Sequence, residues 1–213
     1  MIRFFIICSL VFGAFSSVGA ASLQVKVQST DGQVAENAVV SVTPITPGLV
    51  LPDVETAATM TQQDTLFRPF VLPISVGTTV TFPNLDEFRH QVYSFSKPKR
   101  FELRLYGQDT TNTITFDKPG IIALGCNIHD NMLAFIYVSE APVVGKTDAD
   151  GMLTFEGLQA GEYQLNVWHP DAKRGETAPL NVMLDEAAPT ITSMTVDLRS
   201  VRREQQPPAD ESY

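Results

Sequence analysis

One nine-residue stretch of the chain, GCNIHDNML (residues 125–133), gathers three side chains that can bind a metal ion. Cys126, His129 and Met132 follow one another at intervals of three residues and supply a thiolate, an imidazole and a thioether. These are soft or borderline donors, which suit copper better than they suit calcium or magnesium. The spacing therefore indicates a metal site built largely by one short loop.

A fourth donor must come from elsewhere, and the chain has two further histidines, His90 and His169. His90 opens the alternating segment HQVYSFS, and antiparallel pairing sets the start of one strand beside the end of another. We therefore expect His90 to face the Cys126 loop, whereas His169, in VWHPD, is expected to lie away from the metal. Two histidines, one cysteine and a weak methionine form a blue-copper centre, and a structural zinc site would not use methionine.

The first twenty residues are typical of an export signal. Arg3 precedes the apolar run FFIICSLVFGAF, and small residues suitable for cleavage follow at Ala20 and Ala21. We predict a signal peptide over residues 1–20, a periplasmic protein and no membrane span after cleavage. Cys8 leaves with the signal, so Cys126 becomes the only thiol. It is then either a buried structural cysteine or a metal ligand.

The charge of the chain excludes one class of function and favours another. With a formal net charge of −9 at pH 7, the protein lacks the positive surface that nucleic-acid binding requires. An acidic surface instead favours basic partners. We expect a redox partner protein such as a cytochrome or a dehydrogenase.

The elements that must position the donors are predicted to be β-strands. Segments such as SLQVKVQS, TTVTFPN and HQVYSFS alternate apolar and polar residues, with glycine, proline or Asn-Asp turns between them. Residues 50–66 are expected to form a short helix or a long loop. We predict a β-sandwich over residues 21–140, a smaller β-sandwich over 141–198 and a disordered tail over 199–213.

These segments also resemble known proteins. The Cys126 loop is similar to the copper loop of the cupredoxins, of the amicyanin and plastocyanin type. FPNLDEFRHQVYSFSKPKRFELRLY, DKPGIIALGCNIHDNM and WHP resemble cupredoxin-like proteins labelled methylamine utilization proteins. The resemblance implies an all-β chain, with a cupredoxin-like Greek-key sandwich followed by a transthyretin-like, or carboxypeptidase-regulatory-like, sandwich. It also implies His90, Cys126, His129 and Met132 as ligands of one copper ion that cycles between Cu(I) and Cu(II).

Further roles follow only from the same resemblance. Asn84 would hydrogen-bond to the ligand loop, and backbone N–H groups near the sulfur of Cys126 would raise the reduction potential. Phe82, Phe95 and Phe116 would shield the metal from water. For each aromatic residue, ordinary core packing is the alternative interpretation.

Three functions remain open at this point. The first is a periplasmic one-electron carrier, and the second is a copper-handling or copper-sensing protein that does not shuttle electrons. The third is a metal-free docking module built from two sandwiches. An enzyme is not expected, because neither an open coordination position nor a set of catalytic side chains can be argued from these residues.

Overall fold

The computed structural model describes residues 21–203 and residue 205. Within them the chain is all-β, which confirms the predicted fold class. No helix among these residues is long and apolar enough to cross a membrane. In chain order the strands are β1 (Ala21–Ser29), β2 (Val39–Pro44), β3 (Ala57–Thr59), β4 (Thr61–Gln63), β5 (Leu66–Arg68), β6 (Val71–Ser75), β7 (Thr79–Pro83), β8 (His90–Ser94), β9 (Phe101–Tyr106), β10 (Thr111–Thr115), β11 (Gly120–Cys126), β12 (His129–Ser139), β13 (Val143–Lys146), β14 (Met152–Leu158), β15 (Gly161–Trp168), β16 (Leu180–Leu184) and β17 (Thr190–Val196).

Strand formation follows the alternation of apolar residues in the sequence. In β1 every second side chain is buried, and Leu23, Val25 and Val27 are fully enclosed. Successive side chains of a strand point to opposite faces of the sheet, so this alternation places one face of β1 in a core. β7 and β8 show the same alternation, and His90, the first residue of β8, is one of the buried side chains.

Strands β3 to β12 form the first unit of the fold. One sheet has the order β6-β12-β11-β8-β9, a second has the order β10-β7-β3, and β4 pairs with β5. Between them lies a core that includes Phe82, Phe116, Ile122 and Ile136. The unit is a β-sandwich whose central strands, β8, β11 and β12, carry the metal-binding candidates.

The second unit contains strands from both ends of the chain. β1 pairs with β14 and runs parallel to β17, while β2 pairs with β13 and β15, and β15 pairs with β16. Residues 21–44 were predicted to belong to the unit that ends at residue 140, but the strands that pair with β1 and β2 all lie beyond residue 142. Partner choice at such a separation leaves no local trace in the sequence, because β1 alternates in the same way whichever sheet it joins.

A small aromatic cluster joins the two units. Phe135 and Tyr137, from β12 of the first unit, pack on Trp168 of β15, with ring centroids 5.9 and 5.5 Å apart. Val39 and Val71 complete this buried junction cluster, one from each unit. The strand that begins with His129 therefore also forms the contact with the second unit.

Two further segments differ from expectation. Residues 50–66 contain the short strands β3 and β4 rather than a helix. The predicted disordered tail is in part ordered, because Arg203 Nε donates to Asp171 Oδ1 at 2.8 Å. Phe67 N–H donates to Gln205 Oε1 at 2.8 Å, and Gln205 Nε2 donates to the carbonyl oxygen of Phe67 at 2.6 Å. The predicted signal peptide, residue 204 and residues 206–213 lie outside the described part of the chain.

Candidate metal centre

The hairpin between β11 and β12 gathers the sequence-predicted donors. Cys126 pairs with His129 across a tight turn, whereas the preceding residue, Gly125, pairs with Leu133. The register shift leaves three residues of β12, among them Met132, in a bulge opposite no residue of β11. Bulges re-aim side chains at strand ends, and here Cys126, His129 and Met132 are all buried.

His90 reaches the same place from β8. This strand lies beside β11 in antiparallel orientation, with Tyr93 opposite Gly125, so its first residue is adjacent to the end of β11. The ligand atoms of His90, Cys126 and His129 lie within 4.8 Å of one another. The two Nδ1 atoms are 3.2 Å apart, and Sγ of Cys126 is 3.6 Å from Nδ1 of His129. The structure thus brings together three of the four predicted ligands.

Met132, the fourth predicted ligand, shares surroundings with Cys126. It is buried in the same core cluster as Cys126. The two residues also line one outer groove, together with Tyr93 and Phe95. Met132 would supply the thioether ligand that the resemblance implies.

The pKa shifts of Cys126 and His129 favour metal binding. Burial alone would raise the pKa of the Cys126 thiol, but hydrogen bonds from His90 and from the backbone N–H groups of Gln91 and Ile128 outweigh burial and lower it. Burial and the nearby charge of His90 lower the pKa of His129, so this ring tends to be neutral. Metal ligands must be deprotonated, and both groups are shifted in that direction.

A carboxylate lies behind His90. Nε2 of His90 is 2.7 Å from Oδ2 of Asp86, and both side chains are enclosed. Burial lowers the pKa of His90, but Cys126 and Asp86 outweigh burial and raise it. Asp86 is not among the site residues predicted from the sequence. The sequence feature that could have identified it is its position four residues before His90, in the loop that leads into β8.

Asn84 has partners other than those expected. Its Nδ2 donates to the carbonyl oxygens of Phe88 and Tyr106, at 2.9 and 3.0 Å, and its Oδ1 accepts from the N–H of Asp86 at 2.9 Å. These partners belong to the loop before β8 and to β9, not to the Cys126 loop. Asn84 therefore orders the segment that carries Asp86 and leads to His90.

The aromatic surroundings also differ in part from expectation. Phe82 and Phe116 are fully buried in the core of the first unit, whereas Phe95 is 74% exposed and packs on Tyr93 at the surface. Phe88, which the sequence analysis did not select, packs on both imidazoles, with ring centroids 5.0 Å from His90 and 5.7 Å from His129. It is 39% exposed, so part of its ring contacts the imidazoles while the rest meets solvent.

His169 is placed outside the site, as expected. Its Nε2 donates to the carbonyl oxygen of Glu36 at 2.9 Å, and its Nδ1 accepts from the N–H of Asp171 at 3.0 Å. Both ring nitrogens are thus used within the second unit. His169 is a structural histidine.

The donor set fits a copper ion. One thiolate and two imidazoles converge from three strands, β8, β11 and β12, and the thioether of Met132 is buried in the same core cluster as Cys126. This combination is characteristic of blue-copper centres, whereas structural zinc sites use only cysteine, histidine or carboxylate ligands. His90, Cys126, His129 and Met132 would hold the ion, with Phe88 covering the histidine side.

Comparison with known proteins gives partial structural similarities. No protein-family model and no curated protein matches the chain. A copper-containing nitrite reductase (NirK) from Thermus scotoductus SA-01 is 33% identical over 46% of this chain, with a TM-score of 0.38, and the match spans only 25% of the reductase. A purple cupredoxin from Nitrosopumilus maritimus is 23% identical over 38% of this chain and 99% of its own, with a TM-score of 0.35. A methionine-to-alanine mutant of amicyanin in its Cu(I) form is 17% identical over 46% of this chain and 99% of its own, with a TM-score of 0.36.

Proposed function

We propose that this protein is a type 1 copper protein that carries single electrons. The observation that supports this most directly is the convergence of His90, Cys126 and His129, whose ligand atoms lie within 4.8 Å of one another in a buried place. A bound copper ion would supply reversible exchange of one electron between Cu(I) and Cu(II). A thiolate with two imidazoles satisfies both oxidation states tolerably.

The surrounding chain performs the remaining tasks of a carrier. β8, β11 and β12 hold the donors on a packed sandwich, so that the side chains have little freedom to rearrange. The N–H groups of Gln91 and Ile128 hydrogen-bond to the sulfur of Cys126, and such contacts tune the electronic properties of a metal site. Phe88 limits the access of water to the imidazoles.

We propose a carrier rather than a catalyst because the ligand set fills the coordination sphere. A catalytic metal site keeps a position open for water or substrate. With His90, Cys126, His129 and Met132 all bound, copper would have no such position.

A copper-handling or copper-sensing protein is the second candidate, and one observation favours it. Cys126 and Met132 line a groove at the protein surface, and Phe88 is not among the residues that line it. Sulfur donors next to an open groove would allow copper to pass to an acceptor protein. Electron transfer needs no such access.

The proposed setting is the periplasm, with export directed by residues 1–20. The net charge of −9 favours association with a basic surface of a redox partner, such as a cytochrome or a dehydrogenase. Removal of Arg3 with the signal would make the mature chain more acidic still.

Reconstitution with Cu(II) tests the proposal. We expect one copper per chain and an intense blue thiolate-to-copper absorption, which Cys126→Ser abolishes. His169→Gln is the matched control, because it alters a buried histidine of the second unit and should leave the colour intact. A colourless or pale copper complex of the wild-type protein would rule out the type 1 site.

A second measurement separates the two candidates. An electron carrier should exchange electrons rapidly with a basic cytochrome, and added salt should slow that exchange. A copper-handling protein should instead transfer its ion to a competing Cu(I) chelator faster than it exchanges electrons.

A further inference from the structure

The carboxylate of Asp86 accepts three hydrogen bonds at one place. Nε2 of His90 lies 2.7 Å from Oδ2, the N–H of Thr65 donates to the same oxygen at 3.0 Å, and the N–H of Asp64 donates to Oδ1 at 2.7 Å. The side chain of Asp86 is only 10% exposed, and that of His90 is fully buried. This is an organised site for one carboxylate rather than a chance surface contact.

The bond to Asp86 determines which nitrogen of His90 carries the proton. An ionised carboxylate only accepts hydrogen bonds, so Nε2 of His90 must be the donor. In the neutral ring Nδ1 then keeps its lone pair, and Nδ1 is the nitrogen that points toward His129 and Cys126. Without the carboxylate, the ring could place its proton on either nitrogen and could rotate.

The turn that holds Asp86 also holds the ligand hairpin. Asp64 and Thr65, between β4 and β5, both have positive φ angles, of 57° each. This conformation turns their N–H groups toward Asp86. On its other side, the carbonyl oxygen of Thr65 accepts from Nδ2 of Asn131 at 3.1 Å, and Asn131 lies between His129 and Met132. One turn thus contacts both the residue behind His90 and the loop that carries the other ligands.

We propose that Asp86 is the positioning residue of the copper site, which fixes His90 as the Nε2–H tautomer with Nδ1 directed at the metal. This inference rests on the proposed function for its metal and on the geometry alone for the tautomer. The negative charge of Asp86 has a second effect, because a carboxylate bonded to a metal-bound histidine makes that ligand more basic. A more basic ligand favours the more highly charged ion, so Asp86 lowers the reduction potential of the site.

The tautomer is measured first, on the metal-free wild-type protein, which needs no variant. Nitrogen-15 chemical shifts of His90, recorded where the ring is neutral, should show the proton on Nε2. A proton on Nδ1 would overturn the proposal. The Asp86→Asn variant should show a mixture of the two tautomers.

Metal affinity is measured next with Zn²⁺ alone, a redox-inert probe, in competition with a chelator. Loss of a hydrogen-bond partner behind a ligand typically weakens metal binding about 10–100-fold, and we expect this loss for Asp86→Asn. Glu87→Gln is the matched control, since it removes the exposed carboxylate of the next residue and should leave the affinity within about twofold. In the copper-loaded protein, Asp86→Asn should raise the reduction potential and Glu87→Gln should change it much less.

The outcomes separate this inference from the proposed function. A copper complex that is not blue, together with an Nε2–H tautomer and weaker Zn²⁺ binding by Asp86→Asn, refutes the type 1 site and leaves the role of Asp86 standing. A blue wild-type protein whose Asp86→Asn variant keeps the same affinity and potential refutes the role of Asp86 alone.

Discussion

His90 and His169 are both buried imidazoles, but their ring nitrogens are used differently. Both ring nitrogens of His169 hydrogen-bond to backbone groups, of Glu36 and Asp171. His90 uses Nε2 for Asp86 and turns Nδ1 toward Cys126 and His129. Residue type is therefore a weak guide to metal binding, and the partner of the second nitrogen distinguishes the two histidines.

His169 should make the stability of the metal-free protein depend on pH. Burial lowers its folded-state pKa below the ordinary value of 6.5. The unfolded chain then binds a proton between these two pKa values that the folded chain does not bind, so stability is complete above pH 6.5 and falls as the pH drops below it. In urea denaturation from pH 8 to pH 5, His169→Gln should lose stability less steeply than the wild type.

His169→Gln also has a cost that does not depend on pH. It removes the acceptor of the Asp171 N–H, and a buried donor left unsatisfied costs about 1–3 kcal/mol. The variant should therefore be less stable at pH 8. Equal slopes with pH in both proteins would show that His169 titrates normally in the folded state.

At the scale of elements, the position of β1 in the second unit depends on a close contact with the β13–β14 turn. The N–H of Val27 donates to the carbonyl oxygen of Gly151 at 2.8 Å. Gly151 has φ +72°, and a Cβ at this position would lie 2.6 Å from the carbonyl oxygen of Val27. Glycine is needed here both for its backbone conformation and for the close approach of two strands.

Gly151→Ala should therefore destabilise the second unit. Its matched control is Gly157→Ala, since Gly157 also has a positive φ, of +74°, but open space where a Cβ would lie. The control carries only the backbone strain, about 1–2 kcal/mol. Gly151→Ala adds a steric clash and should cost about 1–3 kcal/mol more in chemical denaturation. Equal losses in the two variants would show that β1 moves away from the turn without cost.

At the scale of the whole molecule, the C-terminal segment ties the second unit to the first. Arg203 bonds to the buried Asp171, and its guanidinium carbon lies 4.9 Å from the ring centroid of Phe135 in β12. Two residues later, Gln205 bonds to both backbone groups of Phe67 in β5. The β4–β5 hairpin therefore makes both contacts. Its turn hydrogen-bonds to Asp86 beside the metal centre, and Phe67 in β5 hydrogen-bonds to the C-terminal segment.

Arg203→Ala should weaken the whole molecule rather than one unit. It leaves the carboxylate of Asp171, 1% exposed, without its charged partner and removes the contact with Phe135. We expect the free energy of unfolding to fall by about 1–3 kcal/mol. Unfolding can be monitored by the fluorescence of Trp168, the only tryptophan of the chain, which lies in the junction cluster. Lys173→Ala is the control, because its ion pair with Asp197 is about half exposed and should contribute under about 1 kcal/mol. Similar losses in both variants would mean that Arg203 is an ordinary surface residue.

The ligands of the site could be predicted from local sequence, but the residues that surround them could not. Cys126, His129 and Met132 are close in sequence, and the alternation after His90 predicts the strand that brings it to them. Asp86 and Phe88 lie in an irregular loop whose path is fixed by Asn84 and by the distant turn at Thr65. No periodicity predicts where the side chains of such a loop point.

The donor types, their spacing and the all-β class are predictable from the sequence alone, because they depend on residue chemistry and on alternation within a few residues. Contacts between distant segments decide which sandwich receives β1 and β2, that Arg203 and Gln205 contact Phe135 and Phe67, and that a carboxylate lies behind His90. Leu23, for example, pairs with Thr190. Such pairings are selected by the total free energy of contacts between distant segments, and no single stretch of sequence records that sum.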